Sequence, residues 1–135
     1  MSAEKRRLEA KRWLPQARED LEAGLLLQAG KHAQAAFLAQ QAGEKALKGL
    51  WIALDLDPWG HSLARLIRDL PEEARPFRPL LPKALALDKL PIPTRYPDAL
   101  PGLAPKEAYT EEAAQRALED ARAILEAVEA RLGTG

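Results

Sequence analysis

The hydrophobic and polar positions of residues 32–55 alternate with the period of an α-helix. At about 100° per residue, the apolar residues fall on one arc, formed by Ala36, Gly43, Leu47, Leu50 and Leu54. The segment contains no proline, and its only β-branched residue is Ile52, so its side chains lose little freedom in a helix. We predict a helix here and expect the other elements to pack around it.

A similar spacing precedes this segment. Residues 4–29 carry an apolar stripe formed by Leu14, Ala17, Leu21 and Leu25, which predicts a second amphipathic helix. Pro15 interrupts this pattern. The sequence therefore fits either a helix that ends near Trp13 and a new one that begins at the proline, or one long helix kinked there. The connection to residue 32 is short, so the two predicted helices should be antiparallel neighbours.

Three more helices are predicted downstream. Residues 57–60 have the composition of a turn, and Ser62 suits the N-cap of a short helix that ends near residue 70. The prolines that follow leave room for a helix over residues 80–90. Thr110 suits the N-cap of the last helix, whose apolar residues recur every three or four positions until Gly133.

The segment of residues 91–105 differs from the rest because it holds five prolines. A packed helix cannot pass through them, and so long a connection within a small domain is often functional. Its centre carries Arg95, Tyr96, Pro97 and Asp98. The alternative is that the prolines stiffen a surface loop and that Tyr96 fastens this loop to the helices.

The composition indicates an all-α protein. Val128 is the only valine, and isoleucine and threonine are sparse, so the residues that favour strands are nearly missing. The chain has 135 residues, 47% of them hydrophobic and 30% charged, which is typical of one globular domain. We therefore predict a single domain over residues 1–135.

Several classes of function are excluded or disfavoured. Twenty basic and 20 acidic side chains balance, so a general attraction to nucleic acid or membranes is not expected. There is no cysteine and there are only two histidines, which disfavours a zinc site. No apolar run reaches the length of a signal peptide core or a membrane span, so we expect a cytoplasmic protein. The lack of asparagine and the single methionine fit a heat-adapted source.

A polar row follows one margin of the helix predicted at residues 32–55. It consists of Gln40, Gln41, Glu44 and Lys48, with Phe37 and Trp51 on the same margin. Glu44 and Lys48 are spaced i, i+4 in the order that favours pairing. Such a pair is usually a solvated surface feature. The flanking aromatic residues favour partial burial instead, in which case the polar groups need partners.

Other polar residues could join this row in the folded chain. His61 would lie beside the start of the short helix, where free N–H groups favour anions, although it could equally pack or cap there. Together with the proline-rich segment, the candidate set is Gln41, Glu44, Lys48, His61, Arg95 and Tyr96. Such groups suit a ligand with a phosphate and a base. They would equally suit a buried network that fastens the loop to the helices.

Five short motifs are distributed along the chain between residues 17 and 110. They are A-x-x-D-L at residues 17–21, F-x-x-Q-Q-A-x-E-K-A-L-K at 37–48, H-S-L at 61–63, R-Y-P-D at 95–98 and Y-T at 109–110. In this order the chain resembles the HEPN domain family, small helical domains of prokaryotes and higher eukaryotes. The resemblance implies an up-and-down bundle of four to five helices, commonly assembled as a homodimer.

The resemblance also implies a function. It implies a nucleotide-binding role and frequent pairing with a separate minimal nucleotidyltransferase, often in a toxin–antitoxin or nucleotide-modifying system. Our first hypothesis is a non-catalytic subunit that binds a nucleotide or a partner and acts with such a nucleotidyltransferase. The residues that match the family's recurrent polar positions are Gln41, Glu44, Lys45, Lys48, His61, Arg95 and Tyr96. We predict that these residues bind the nucleotide or its phosphate, without a metal or cofactor.

Two alternatives stay open. HEPN members that cleave RNA resemble one another in carrying an arginine, a spacer of four to six residues and then a histidine, and neither His32 nor His61 has an arginine at that spacing before it. The resemblance therefore argues against a ribonuclease, in which His61 would act as general acid or base and Arg95 would stabilise the phosphorane. The second alternative is a structural dimerisation module that has no ligand.

Overall fold

The fold is built from helices, as expected. The structure is a computed structural model, and it describes residues 2–27, 30–90 and 110–133. Its α-helices are α1 (Ala3–Leu27), α2 (His32–Ala53), α3 (Leu63–Arg68), α4 (Leu81–Asp88) and α5 (Glu111–Leu132). A 3₁₀ helix over Glu72–Leu80 precedes α4, and no strand occurs in these ranges. The prediction of an all-α fold is confirmed.

Helix α2 is the centre of the packing. It lies against α1 on one side and α5 on another, and it also contacts α3 and α4. Thirteen of its 22 residues are buried, which is more than one face can supply. This explains its apolar arc together with its many alanines, since small side chains let the neighbouring helices approach closely. The core residues Leu47 and Leu50 are fully buried there.

Helix α1 continues through Pro15, which settles the choice left open by the sequence in favour of one helix. Proline removes the N–H that would bond to the carbonyl of the residue four positions earlier. That residue is Lys11, and both Lys11 and Pro15 are exposed. Water can therefore replace the missing partner, while Leu14 and Ala17 on the opposite side remain buried.

The helix ends follow the predicted capping residues. The Ser62 hydroxyl accepts a hydrogen bond from the backbone N–H of Arg65 at 3.1 Å, and the Thr110 hydroxyl accepts one from Ala113 at 3.0 Å. Gly133 ends α5 in the left-handed conformation with φ 70°, which costs glycine little because it lacks a Cβ. These three predictions are confirmed.

The 3₁₀ helix was not predicted from the sequence. It contains Pro76 and Pro79, and its backbone leaves helical values at Ala74, so it consists of short turns rather than a regular helix. Such turns tolerate prolines better than a long α-helix does, because they require few consecutive N–H donors. Buried Ala74 and Phe77 hold the segment against the core.

The proline-rich segment and the membrane-spanning potential of the helices were also considered in the sequence predictions. The proline-rich segment of residues 91–105, with Arg95 and Tyr96, lies outside the described residues. Among the described helices, none combines the length and apolar character needed to cross a membrane.

Candidate functional site

The polar row of α2 is largely buried. Gln40 and Glu44 are 7% and 8% exposed, and the Gln40 amide donates to the backbone carbonyl of Leu87 on α4 at 3.5 Å. This confirms that the row needs partners within the protein. The interpretation of Glu44 and Lys48 as a solvated surface pair is wrong.

Glu44 holds two other side chains. Its Oε2 lies 3.2 Å from the Lys48 Nζ and 3.1 Å from the His61 Nδ1. The Lys48 side chain is 14% exposed, whereas that of His61 is 87% exposed. We call these three residues the Glu44 cluster. The cluster joins α2 to the turn before α3. It reaches the protein surface through the exposed side chain of His61.

The Glu44 carboxylate also fixes the role of each histidine nitrogen. A carboxylate only accepts hydrogen bonds, so Nδ1 of His61 must carry the proton that it donates to Glu44. In the neutral ring Nε2 is then the acceptor and is available to a ligand. In the protonated ring, Nε2 becomes a second donor and the cluster carries one net positive charge.

The start of α3 already holds a carboxylate of this chain. Asp88 accepts from the backbone N–H groups of Leu63 at 2.8 Å and Ala64 at 2.9 Å, and from the Ser62 hydroxyl at 2.9 Å. The expectation that this helix start attracts an external anion beside His61 is therefore wrong for these N–H groups. The Asp88 side chain at the end of α4 already accepts their hydrogen bonds.

Sequence reasoning did not identify Asp88. One signal was present, because an acidic residue in the last turn of a helix opposes the helix dipole. A residue in that position needs a compensating partner, and here the partner is the N-terminus of α3. The bridge fixes the chain immediately after His61, so Asp88 is a positioning residue for the Glu44 cluster.

Lys45 lies outside the Glu44 cluster. Its Nζ is 2.6 Å from the Asp20 carboxylate of α1, and the same carboxylate accepts from the Gln16 amide at 3.0 Å. Gln41, one turn earlier on α2, is half-buried. Of the predicted site residues, the structure thus brings together Glu44, Lys48 and His61. Lys45 pairs with α1 instead, so we leave it out of the proposed site. The convergence of Arg95 and Tyr96 on the Glu44 cluster stays a prediction.

A second feature lies further along the same stripe of α2. Glu44, Lys48 and Trp51 are spaced i, i+4 and i+7, which places them on one side of the helix. The guanidinium carbon of Arg65 lies 5.2 Å from the ring centre of Trp51 and 3.8 Å from that of Trp59. We call this arrangement the tryptophan stack. The sequence showed only a turn at residues 57–60.

A model of the HEPN domain matches residues 10–131. The chain belongs to the HEPN domain family. The match covers every described α-helix except the first residues of α1 and the last residue of α5. This agrees with the resemblance found in the sequence motifs.

Solved structures of HEPN proteins and related chains support the same fold. TT1696 from Thermus thermophilus is 45% identical, with a TM-score of 0.83 over 89% of this chain and 95% of that one. ST0689, an archaeal HEPN homologue, is 35% identical, with a TM-score of 0.74 over 91% and 97%. An HEPN domain protein of Thermotoga maritima, TM0613, is 30% identical, with a TM-score of 0.53 over 96% and 98%. A comparison with curated proteins found no match.

The chemistry available to this HEPN domain follows from the Glu44 cluster. Lys48 and protonated His61 can donate to an anion, and Glu44 keeps both groups in place. Neutral His61 can accept a proton at Nε2. Among the described residues, no group of three or more histidine and acidic side chains is arranged to hold a metal ion.

Proposed function

We propose that this HEPN domain is a non-catalytic subunit that binds a nucleotide and acts with a minimal nucleotidyltransferase partner. One observation carries the proposal: a nearly buried carboxylate, Glu44, holds a lysine and an exposed histidine together at the surface. Because Glu44 already orients these side chains, they lose less conformational entropy when a phosphate group binds to them.

The arrangement suits phosphate better than a neutral ligand. Lys48 has three N–H donors, of which Glu44 uses one, and the exposed Nε2 of His61 adds another donor when the ring is protonated. A phosphate group offers several acceptor oxygens to such donors. We further predict that Arg95 and Tyr96 contribute a guanidinium and an aromatic ring to the same ligand.

The test is calorimetric titration of the full chain with ATP. We expect binding at millimolar ATP or below, and a loss of affinity of about tenfold or more in Lys48→Ala, since a hydrogen bond to a charged group contributes about 1.5–3 kcal/mol. His61→Ala should weaken binding in the same direction. Flat heats for the wild type at millimolar ATP would remove the nucleotide proposal.

Lys45→Ala is the matched control. Lys45 is three residues from Lys48 on the same helix and is also paired with a carboxylate, but its partner is Asp20 on α1. We expect its affinity for ATP to equal that of the wild type. Equal losses in the Lys45 and Lys48 variants would show a general charge effect and would contradict a site at the Glu44 cluster.

The partner and the assembly form a separate part of the proposal. We propose a homodimer that pairs with a nucleotidyltransferase, in a toxin–antitoxin or nucleotide-modifying system. Sedimentation of the purified chain tests the dimer. A nucleotidyltransferase reading frame beside this gene, whose product co-purifies with the chain, would support the pairing, and the lack of co-purification would contradict it.

A metal-independent ribonuclease is the second candidate, and the Glu44–His61 contact favours it. A carboxylate on Nδ1 leaves Nε2 free to accept a proton from a ribose 2′-hydroxyl, whose oxygen would then attack the adjacent phosphorus. The bond from phosphorus to the 5′-oxygen of the next nucleotide would break, and protonated His61 would return its proton to that leaving oxygen. The missing arginine ahead of His61 argues against it. Digestion of labelled RNA that proceeds unchanged in His61→Ala, or no digestion by the wild type, would exclude this candidate.

A further inference from the structure

Trp59 is a large apolar side chain that the fold leaves exposed. It lies in the turn before α3 and is 63% exposed. Leu8 and Leu26 are also exposed, but they lie on α1 and not in this turn. A single exposed apolar side chain is common in folded proteins, so the contacts around Trp59 decide whether it has a role.

Trp59 contacts Arg65 through both its ring and its backbone, in spite of its exposure. The Arg65 guanidinium covers one face of its ring, with 3.8 Å from the guanidinium carbon to the ring centre. Arg65 also donates to the backbone carbonyl of Trp59 and pairs with Asp69 at 3.3 Å. These contacts fix both the ring and the backbone of the turn.

The support beneath Arg65 comes from the core. Trp51 is buried, and its indole N–H donates to the carbonyl of Leu66 at 2.7 Å. The Arg65 guanidinium therefore contacts both a buried ring, Trp51, and an exposed ring, Trp59. A flat aromatic surface that is fixed on one side and open to solvent has the properties of a stacking platform.

The platform lies close to the Glu44 cluster along the chain. Trp59 and His61 are two positions apart, so their Cα atoms are separated by at most about 7 Å. Trp51 shares a stripe of α2 with Glu44 and Lys48. A nucleotide has a flat base on one side of its ribose and phosphate on the other, which matches an indole beside a pair of cationic groups.

We propose that Trp59 is the base-stacking subsite of the nucleotide site, with Arg65 as the positioning residue behind it. The inference rests on the proposed nucleotide binding at the Glu44 cluster. The base stacks on the open face of the Trp59 indole, while the phosphates reach Lys48 and His61. Stacking requires only a π face, so the subsite accepts every base and favours purines, which have the larger surface.

The experiment compares ATP with inorganic tripolyphosphate, which has the phosphates but no base. Calorimetry of the wild-type chain should give a higher affinity for ATP. In Trp59→Ala the affinity for ATP should fall by about 5- to 150-fold, the range expected from the loss of one base–aromatic stack. The affinity for tripolyphosphate should stay unchanged, because the phosphate groups do not touch the indole.

Two further variants keep the test specific. Trp59→Phe retains an aromatic face and should recover much of the affinity for ATP, which a merely structural role would not require. Leu26→Ala removes another exposed apolar side chain, 86% exposed, and should bind ATP as the wild type does. Circular dichroism of each variant confirms that the helices are intact.

The outcomes separate the two proposals. If the wild type binds neither ATP nor tripolyphosphate, both proposals fail. If it binds both with equal affinity, or if Trp59→Ala binds ATP as tightly as the wild type, the stacking subsite is wrong while phosphate binding at the Glu44 cluster stands. If Trp59→Ala weakens both ligands equally, Trp59 acts on the fold of the site, and the stacking subsite is wrong as well.

Discussion

Replacing Asp88 by alanine should destabilise the start of α3 and displace His61. The variant removes the carboxylate that accepts from the backbone N–H groups of Leu63 and Ala64 at 2.8 and 2.9 Å and from the Ser62 hydroxyl at 2.9 Å. Ser62 is exposed, so water can satisfy its hydroxyl. The two backbone N–H groups belong to buried residues. Water cannot easily replace the hydrogen bonds that they lose, so their loss costs more free energy than that of the Ser62 hydroxyl.

The magnitude follows from these contacts. A hydrogen bond to a charged group contributes about 1.5–3 kcal/mol, so two bonds at the lower end contribute about 3 kcal/mol. The variant also removes an unfavourable interaction between the Asp88 charge and the dipole of α4, which stabilises the fold by about 0.3–1 kcal/mol. We expect a net loss of about 2–3 kcal/mol in the free energy of unfolding, or about 6–12 °C in Tm for a domain of this size.

The assay is thermal and urea unfolding followed by circular dichroism, with Asp69→Ala as the control. Asp69 also pairs with a residue of α3, Arg65, but its side chain is 54% exposed, so its loss should cost no more than about 0.5 kcal/mol. Asp88→Asn keeps one acceptor oxygen and should fall between alanine and the wild type. Equal, small losses in Asp88→Ala and Asp69→Ala would refute the bridge from α4 to α3.

Two further predictions concern stability. A double-mutant cycle of Glu44→Ala and Lys48→Ala, measured by urea unfolding, should give a coupling energy of about 1–2 kcal/mol, because both side chains are nearly buried. The same cycle for Glu72 and Arg75, both 70% exposed, should give a coupling near zero, and equal couplings would contradict the role of burial. Thr110→Ala should lower the free energy of unfolding by about 1 kcal/mol through the lost N-cap, while Thr110→Asn should restore most of it. A thermal midpoint unchanged in Thr110→Ala would show that this cap contributes nothing.

The sequence was sufficient where the interactions are local. The helix spacing of α2 and α5 extends over 22 residues in each, so periodicity alone identified them. The caps at Ser62 and Thr110 act within three residues. The Glu44–Lys48 pair is similarly local, and its position beside two aromatic residues indicated its burial.

The contacts that could not be predicted from the sequence depend on the tertiary fold. Asp88 reaches across 24 to 26 residues to α3, and no pattern along the chain encodes that distance. Arg65 meets Trp59 across a turn and Trp51 across a helix interface, so the tryptophan stack has no periodic signal. Lys45 and Lys48 are both lysines of α2, so the sequence does not separate their roles. In the fold, Lys45 pairs with Asp20 of α1, whereas Lys48 shares Glu44 with His61 of the turn before α3.

NMR titration of the isotope-labelled full chain with ATP would locate a nucleotide site at the Glu44 cluster residue by residue. We predict that the backbone amide shifts concentrate at Lys48 and His61 and that the indole N–H signal of Trp59 moves with them. The amide signals of Asp20, on α1, and of Lys45, which pairs with it, should not move. Shifts confined to Asp20 and Lys45, or no shifts up to millimolar ATP, would contradict this prediction.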